Sequence, residues 1–266
     1  MSATRTCIVF LTAILLMPGL AFGQTGTERN TENLEKSPGA ASHPAGALDL
    51  SETKQAIIKL TNQFRAENQR GELKSNTKLA KAAQSFAEFL ARTDQFSHTA
   101  DGKEPWERVS AAGYQYCIVL ENIAYEYNSD GFTSDELAQK LLRGWEDSPE
   151  HRKNLLDPDV TEIGVGLAQS SKTGRYYAVQ DFGRPKSLET VFKIANPTNE
   201  TVRYTLDGKS YTLAPGYTVT QQRCRPAKLN LQTDKAGKEA ETVQPKNGDR
   251  YVLGRDPGGK LTLQKE

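Results

Sequence analysis

From Ile163 to Ala168 the chain reads Ile-Gly-Val-Gly-Leu-Ala, with a large aliphatic residue at every second position and glycine, glycine and alanine between them. Successive side chains of a strand point to opposite faces, so this stretch predicts a strand with one aliphatic face and one nearly bare face. A bare face implies that something packs closely against it. After the turn residues Ser171-Lys-Thr-Gly174 a second run, Tyr176 to Phe182, returns, and Gly183-Arg-Pro185 closes the unit. The pair predicts a β-hairpin.

Upstream the apolar period lengthens from two to that of a helix. Ser51 is the expected N-cap of a first helix carrying Ile57, Leu60, Thr61 and Phe64 and ended by Gly71. Beyond a polar turn, Lys74-Ser-Asn76, one helical face collects Leu79, Ala82, Ala83, Phe86, Ala87 and Leu90. Its alanines admit close approach of a neighbour. Pro105 opens a short helix that carries Val109 and Trp106, the latter expected in the core. Ile118-Val-Leu120 is a short apolar run that delivers Glu121-Asn122 to its end. Thr133-Ser-Asp-Glu136 has the capping-box pattern for a helix with Leu137, Leu141 and Trp145 on one side, and Ser148-Pro149 restarts the helix.

The N-terminus has a different character. Arg5, an apolar run from Cys7 to Met17, Pro18-Gly19 and small residues at Ala21 and Gly23 read as an export signal over residues 1–23. The run is too short for a stable membrane span, so the mature protein is expected to be exported: secreted, periplasmic or held in the cell envelope. Residues 24–48 are polar and rich in Gly, Ser, Thr and Pro, a flexible linker in which His43 has no assigned role. A net charge of +1 gives no nucleic-acid footprint and no electrostatic draw to a membrane. Cys117 and Cys224 remain in the mature chain, and sequence leaves open whether they pair.

Two of the three histidines, His98 and His151, flank Glu121 in sequence. Neutral imidazole beside a carboxylate suits divalent-cation binding, general acid/base work, or both. His98 follows the second helix in a loop with an Asp101-Gly102 turn, and His151 sits in the first turn of the restarted helix, where the helix N-terminus disfavours imidazolium.

These motifs stand in a recognisable order: Phe96-Ser-His98, Glu121-Asn-Ile-Ala124, Trp145 to Arg152 with Ser148-Pro149 and His151, Asn154-Leu-Leu-Asp-Pro158, Thr161 to Gly166 and Asp181-Phe-Gly183. Over Leu50 to Arg184 the set resembles the CAP superfamily, or SCP domain, in its bacterial branch. The resemblance implies an α+β fold, an α-β-α sandwich around an antiparallel sheet. It also implies a cleft of two histidines and two acidic residues able to hold zinc or another divalent cation. His98, Glu121 and His151 match three of those positions; Ser148 stands at the fourth, with Glu146 and Glu150, neither at the family position, as candidate substitutes. Residues 49–185 are thus the expected CAP domain. Residues 187–266 fall outside the resemblance and show short β-rich runs between Asn-Pro, Asp-Gly, Pro-Gly and Gly-Gly turns, a small all-β domain in which residues 233–248 form a polar loop.

Three functional readings follow. The chain is a binding module for an extracellular or envelope glycan, peptide or lipid, with metal ligands His98 and His151 and with Ser148 and Glu150 in the cleft; no Gly-x-Ser-x-Gly and no Cys beside a His supplies a nucleophile. Alternatively it is a zinc hydrolase in which His98, Glu121 and His151 are catalytic. In the third reading the cluster knits the core of a structural or inhibitory secreted protein.

Overall fold

The computed structural model describes residues 48–232 and 239–266. The export signal, the linker through residue 47 and residues 233–238 lie outside the described residues. The first part runs α1 (Leu50–Glu67), β1 (Lys74–Ser75), α2 (Thr77–Thr93), α3 (Pro105–Ala111), β2 (Tyr116–Glu126), α4 (Ser134–Asp147), α5 (Pro149–Leu155), β3 (Glu162–Gln169) and β4 (Tyr176–Pro185). The strands form one sheet in the order β1-β3-β4-β2. β2 therefore occupies an edge.

The bare face of β3 has a definite occupant. A Cβ at Gly164 would lie 2.1 Å from the Ala80 nitrogen, and one at Gly166 would lie 2.2 Å from the carbonyl carbon of Ala83. Helix α2 thus rests directly on strand backbone, and its alanines are the matching half of the contact. Phe86, Ala87 and Leu90 of α2 continue the layer against Ile123, Tyr177 and Val179. On the opposite face Ile57 and Phe64 of α1 and Leu137, Leu141 and Trp145 of α4 pack against Ile163, Val165, Leu167, Ala178 and Phe182. An α-β-α sandwich results, because the two pleat faces of β3 and β4 are covered by different helices.

Local signals set the helix ends. The Thr133 hydroxyl accepts from the Glu136 amide at 3.2 Å and the Glu136 carboxylate accepts from the Thr133 amide at 2.8 Å, the reciprocal pair expected from the sequence. Helix α1 is capped by Asp49, not Ser51, its carboxylate accepting from the amides of Ser51 and Glu52. Ser148 is the N-cap of α5 without a side-chain capping bond. Lys74 and Ser75, expected as a turn, pair in parallel with Glu162 and Ile163, a two-residue strand too short to show a pattern. Trp106 is 48% exposed rather than core, because α3 turns Val109 inward and leaves its first turn outside.

The second part comprises β5 (Thr190–Ala195), β6 (Val202–Leu206), β7 (Lys209–Leu213), β8 (Thr218–Arg223), β9 (Leu229–Gln232), β10 (Glu239–Val243), β11 (Arg250–Arg255) and β12 (Leu261–Lys265). They make two four-stranded sheets, β10-β9-β6-β7 and β12-β11-β5-β8. One core joins them, with Val202, Tyr204, Leu206, Leu229 and Leu231 from the first and Phe192, Ile194, Tyr251, Leu253, Leu261 and Leu263 from the second. Strand β10 falls inside the stretch expected as a polar loop, and β9, which ends the alternation Ala227-Lys-Leu-Asn-Leu231, is not among the expected strands. All described residues belong to one compact unit. A disulfide between Cys117 of β2 and Cys224, just past β8, ties the two parts together with a Cα separation of 5.2 Å.

Candidate functional site

The site forms at the exposed edge of β2. Glu121, near the middle of this strand, is buried, and both its oxygens are engaged. Oε1 lies 2.8 Å from His98 Nδ1, and Oε2 accepts from Arg108 at 2.7 Å. A carboxylate held against an arginine accepts, so Nδ1 of His98 carries a proton and Nε2 is the ring nitrogen left without a partner in this contact. Half of the His98 side chain remains open to solvent, 46% against 2% for Glu121.

Arg108 builds the loop that presents His98. Its guanidinium donates to the His98 carbonyl at 2.9 Å, the Lys103 carbonyl at 2.8 Å and Asp101 Oδ1 at 2.8 Å, besides Glu121. It lies over the Phe86 ring, 3.6 Å from the centroid. The loop leaves α2 at Asp94, whose φ of 55° is left-handed and turns the chain sharply. One buried cation therefore fixes both the loop and the carboxylate that orients the imidazole.

The opposite side of β2 secures His151. Asn122, the next residue and therefore on the other pleat face, donates to the His151 carbonyl at 3.3 Å. Asn154, one turn along α5, donates to the Glu121 carbonyl at 3.2 Å and to Asn122 Oδ1 at 2.9 Å. Asn122 is fully buried, and its partner Gln180 passes the network on to Thr61. His98 is thus held from one face of β2 and the His151 backbone from the other, near enough for His98 to bear on the His151 imidazole electrostatically. His151 is pushed below the usual histidine range, first by burial and then by the charge of His98, with Glu150 opposing. The direction matches the sequence expectation, whereas the cause is burial and a neighbouring imidazole rather than the start of α5.

Asp181 lies behind this pair. It is the cross-strand partner of Glu121 and is 1% exposed. Burial, and then the charge of Glu121, hold its carboxyl well above the ordinary range against the pull of Arg108. Two carboxylates this close inside a core cannot both ionise, so the pair retains a proton. Oδ1 of Asp181 has no hydrogen-bond partner among the described residues.

The other cleft candidates contribute less. Glu150 is exposed and acts on His151 through its charge; Ser148 is half-buried at the helix junction. Glu146 is raised above its ordinary range, chiefly by burial, with Arg152 opposing. Among the described residues the trio of His, Cys, Asp or Glu whose ligand atoms all lie within 4.8 Å of one another is Cys117, Glu189 and Cys224. That trio offers no thiolate, because its cysteines are bonded to each other. A groove of about 790 Å³ beside α1 and β1 contains neither histidine.

Sequence reasoning missed Arg108, Asp181, Asn122 and Asn154 as site residues. Arg108 reads as an ordinary surface charge on a short helix, and Asp181 gains its meaning only from the β2/β4 register. Asn122 and Asn154 lie inside the motifs already singled out, Asn122 next to Glu121 and Asn154 three residues after His151, and that membership was the available signal.

The profile of the cysteine-rich secretory protein family, CAP, matches residues 58–182. Among curated proteins the chain is 25% identical over 151 residues to "Uncharacterized protein YkwD" of Bacillus subtilis, covering 56% of this chain and 54% of that one. It is 30% identical over 127 residues to "Uncharacterized membrane protein YlbC" of the same organism, covering 47% of this chain and 33% of that protein. Among solved structures, an extracellular protein containing a SCP domain from Bacillus anthracis aligns with a TM-score of 0.43 and 27% identity, covering 50% of this chain and 41% of that one. With their α-β-α sandwich and ordered motifs, residues 58–182 form a domain that matches the cysteine-rich secretory protein (CAP) family.

Proposed function

We propose that the chain is an exported binding protein whose cleft, formed by His98 and His151, holds a divalent cation and through it an extracellular or envelope ligand. The observation that carries this reading is the His98–Glu121 contact of 2.8 Å, which places a proton on Nδ1 and leaves Nε2 as the nitrogen available to a cation. The depressed basicity of His151 keeps the second imidazole neutral, the form a metal requires.

These residues fit a divalent cation: two imidazoles would hold it, and Glu121 would orient one of them without touching the ion. Bound there, it would supply a Lewis-acid centre with coordination positions left for water and ligand oxygen. Phe96 and Tyr125 flank the His98 loop with rings 45% and 41% exposed and centroids 5.0 Å apart, a surface suited to the apolar portion of a glycan, peptide or lipid. A hydrolase is less well supported. Glu121 has no free oxygen with which to take a proton from water, and two protein ligands are fewer than the three usual for catalytic zinc.

Export rests on the leader-like residues 1–23 and on the disulfide, which persists in oxidising compartments. No helix among the described residues is long and apolar enough to cross a membrane.

Calorimetric titration of the metal-stripped full chain with zinc tests the reading. One ion should bind per chain. His98→Ala with His151→Ala should abolish binding, and Glu121→Gln should weaken it roughly 10- to 100-fold. Unchanged affinity in the double variant removes the cleft from consideration, and zinc-dependent cleavage of a peptide or ester that is lost in Glu121→Gln returns the hydrolase reading.

A further inference from the structure

A pocket of about 450 Å³ opens between α2, α3 and the loop that carries His98. Its volume lies in the range of small-molecule sites. Phe89 supplies an aromatic wall, backed by the buried Phe86 with which it stacks at an interplanar angle of 17°, and Ala111 and Ala112 leave room opposite. Its rim is basic: Lys81, Arg92 and Lys103 line it, all exposed. None of the three forms an ion pair among the described residues. Asp101 is the one acidic residue in the lining, and it is already paired with Arg108 at 2.8 Å.

Arg108 gives the pocket its character. Both terminal nitrogens of its guanidinium are spent on Asp101, Glu121 and two carbonyls, and one face lies on Phe86. It therefore offers a flat, partly neutralised surface rather than free donors. Three unpaired cations around an aromatic and guanidinium lining complement a ligand that is flat, apolar in body and negatively charged at its edge.

We propose that this pocket is a second binding site, separate from the histidine cleft, for a small organic anion with a flat apolar body. The apolar body rests among Phe86, Phe89 and Arg108, and the anionic group meets Lys81, Arg92 and Lys103. Because Arg108 also holds Glu121 and the His98 carbonyl, the occupant leans on the residue that sets the geometry of the cleft.

The test uses the full chain and 1-anilinonaphthalene-8-sulfonate, an aromatic body with one sulfonate. Fluorescence and calorimetry should give one site per chain, weakening as salt rises from about 20 mM to about 0.5 M. The triple variant Lys81→Gln, Arg92→Gln, Lys103→Gln changes only exposed side chains and should melt like the parent, yet lose roughly tenfold or more in affinity. The uncharged analogue N-phenyl-1-naphthylamine should bind the parent more weakly by a similar factor. Absence of binding to the parent, equal affinity in the triple variant, or equal affinity for the uncharged analogue overturns the proposal.

Discussion

Cys117 and Cys224, 107 residues apart in sequence, are joined by a disulfide, and the next residue, Arg225, donates to both oxygens of Asp157 at 3.1 and 2.9 Å. The β-sandwich is thereby fastened at adjacent residues to two different elements of the α-β-α part. The disulfide reaches β2, which carries Glu121, and the arginine reaches the turn after α5, which carries His151.

Closing a loop of this length restricts the unfolded chain strongly. Replacing both cysteines, Cys117→Ser with Cys224→Ser, should lower stability by about 2–5 kcal/mol, seen as a lower denaturant midpoint. An unchanged midpoint would mean that the cross-link contributes nothing to the fold.

Gly164 and Gly166 should tolerate no side chain. In Gly164→Ala the new methyl group meets the backbone of α2, which cannot rotate away as a side chain could. The expected loss is on the order of 3 kcal/mol, at the upper end for overpacking, and it should appear as a reduced melting temperature. A variant as stable as the parent would place α2 farther from β3 than the structure does.

That contact marks how far sequence alone reaches. The bare face of β3 and the alanine-rich face of α2 were each legible, because periodicity and residue size are local properties. Thr133 and Glu136 were legible as a cap for the same reason. Arg108, Asp181 and the Cys117–Cys224 bond were not, since each depends on what a distant segment brings alongside. Glu121 is the instructive intermediate. Its position at the end of an apolar run implied a partner, but only the structure assigns its two oxygens to His98 and Arg108.

Asp181 makes a prediction with a definite sign. Its folded carboxyl stays protonated to higher pH than in the unfolded chain, mainly through burial. Folding is therefore unhindered at this residue below the ordinary aspartate value, about 3.9, and loses stability as pH rises above it toward the raised folded value. Asp181→Asn removes the titration at nearly constant volume. In a melting series over pH, the variant should gain on the parent as pH rises above about 4, with the difference shrinking as pH falls below that value. A constant difference across that range would contradict a retained proton.

His151 behaves in the opposite sense. Its folded imidazole is lowered, so the stability that its neutrality contributes is present above the ordinary histidine value, about 6.5, and lost as pH falls through the folded value. Removing the second of the two causes that lower it, by His98→Ala, should move the His151 titration upward in an NMR pH series. A titration that stays put in the variant would mean that the two imidazoles do not sense each other across the edge of β2.

The cleft itself is tested most directly by anomalous scattering at the zinc edge from crystals of the full chain soaked in zinc. A peak is predicted about 2.0–2.1 Å from one nitrogen of His98 and one of His151, with Glu121 still bound to His98 Nδ1 and outside the coordination sphere. A map with its zinc peak elsewhere, or with Glu121 turned to ligate the ion in place of either imidazole, would contradict the account.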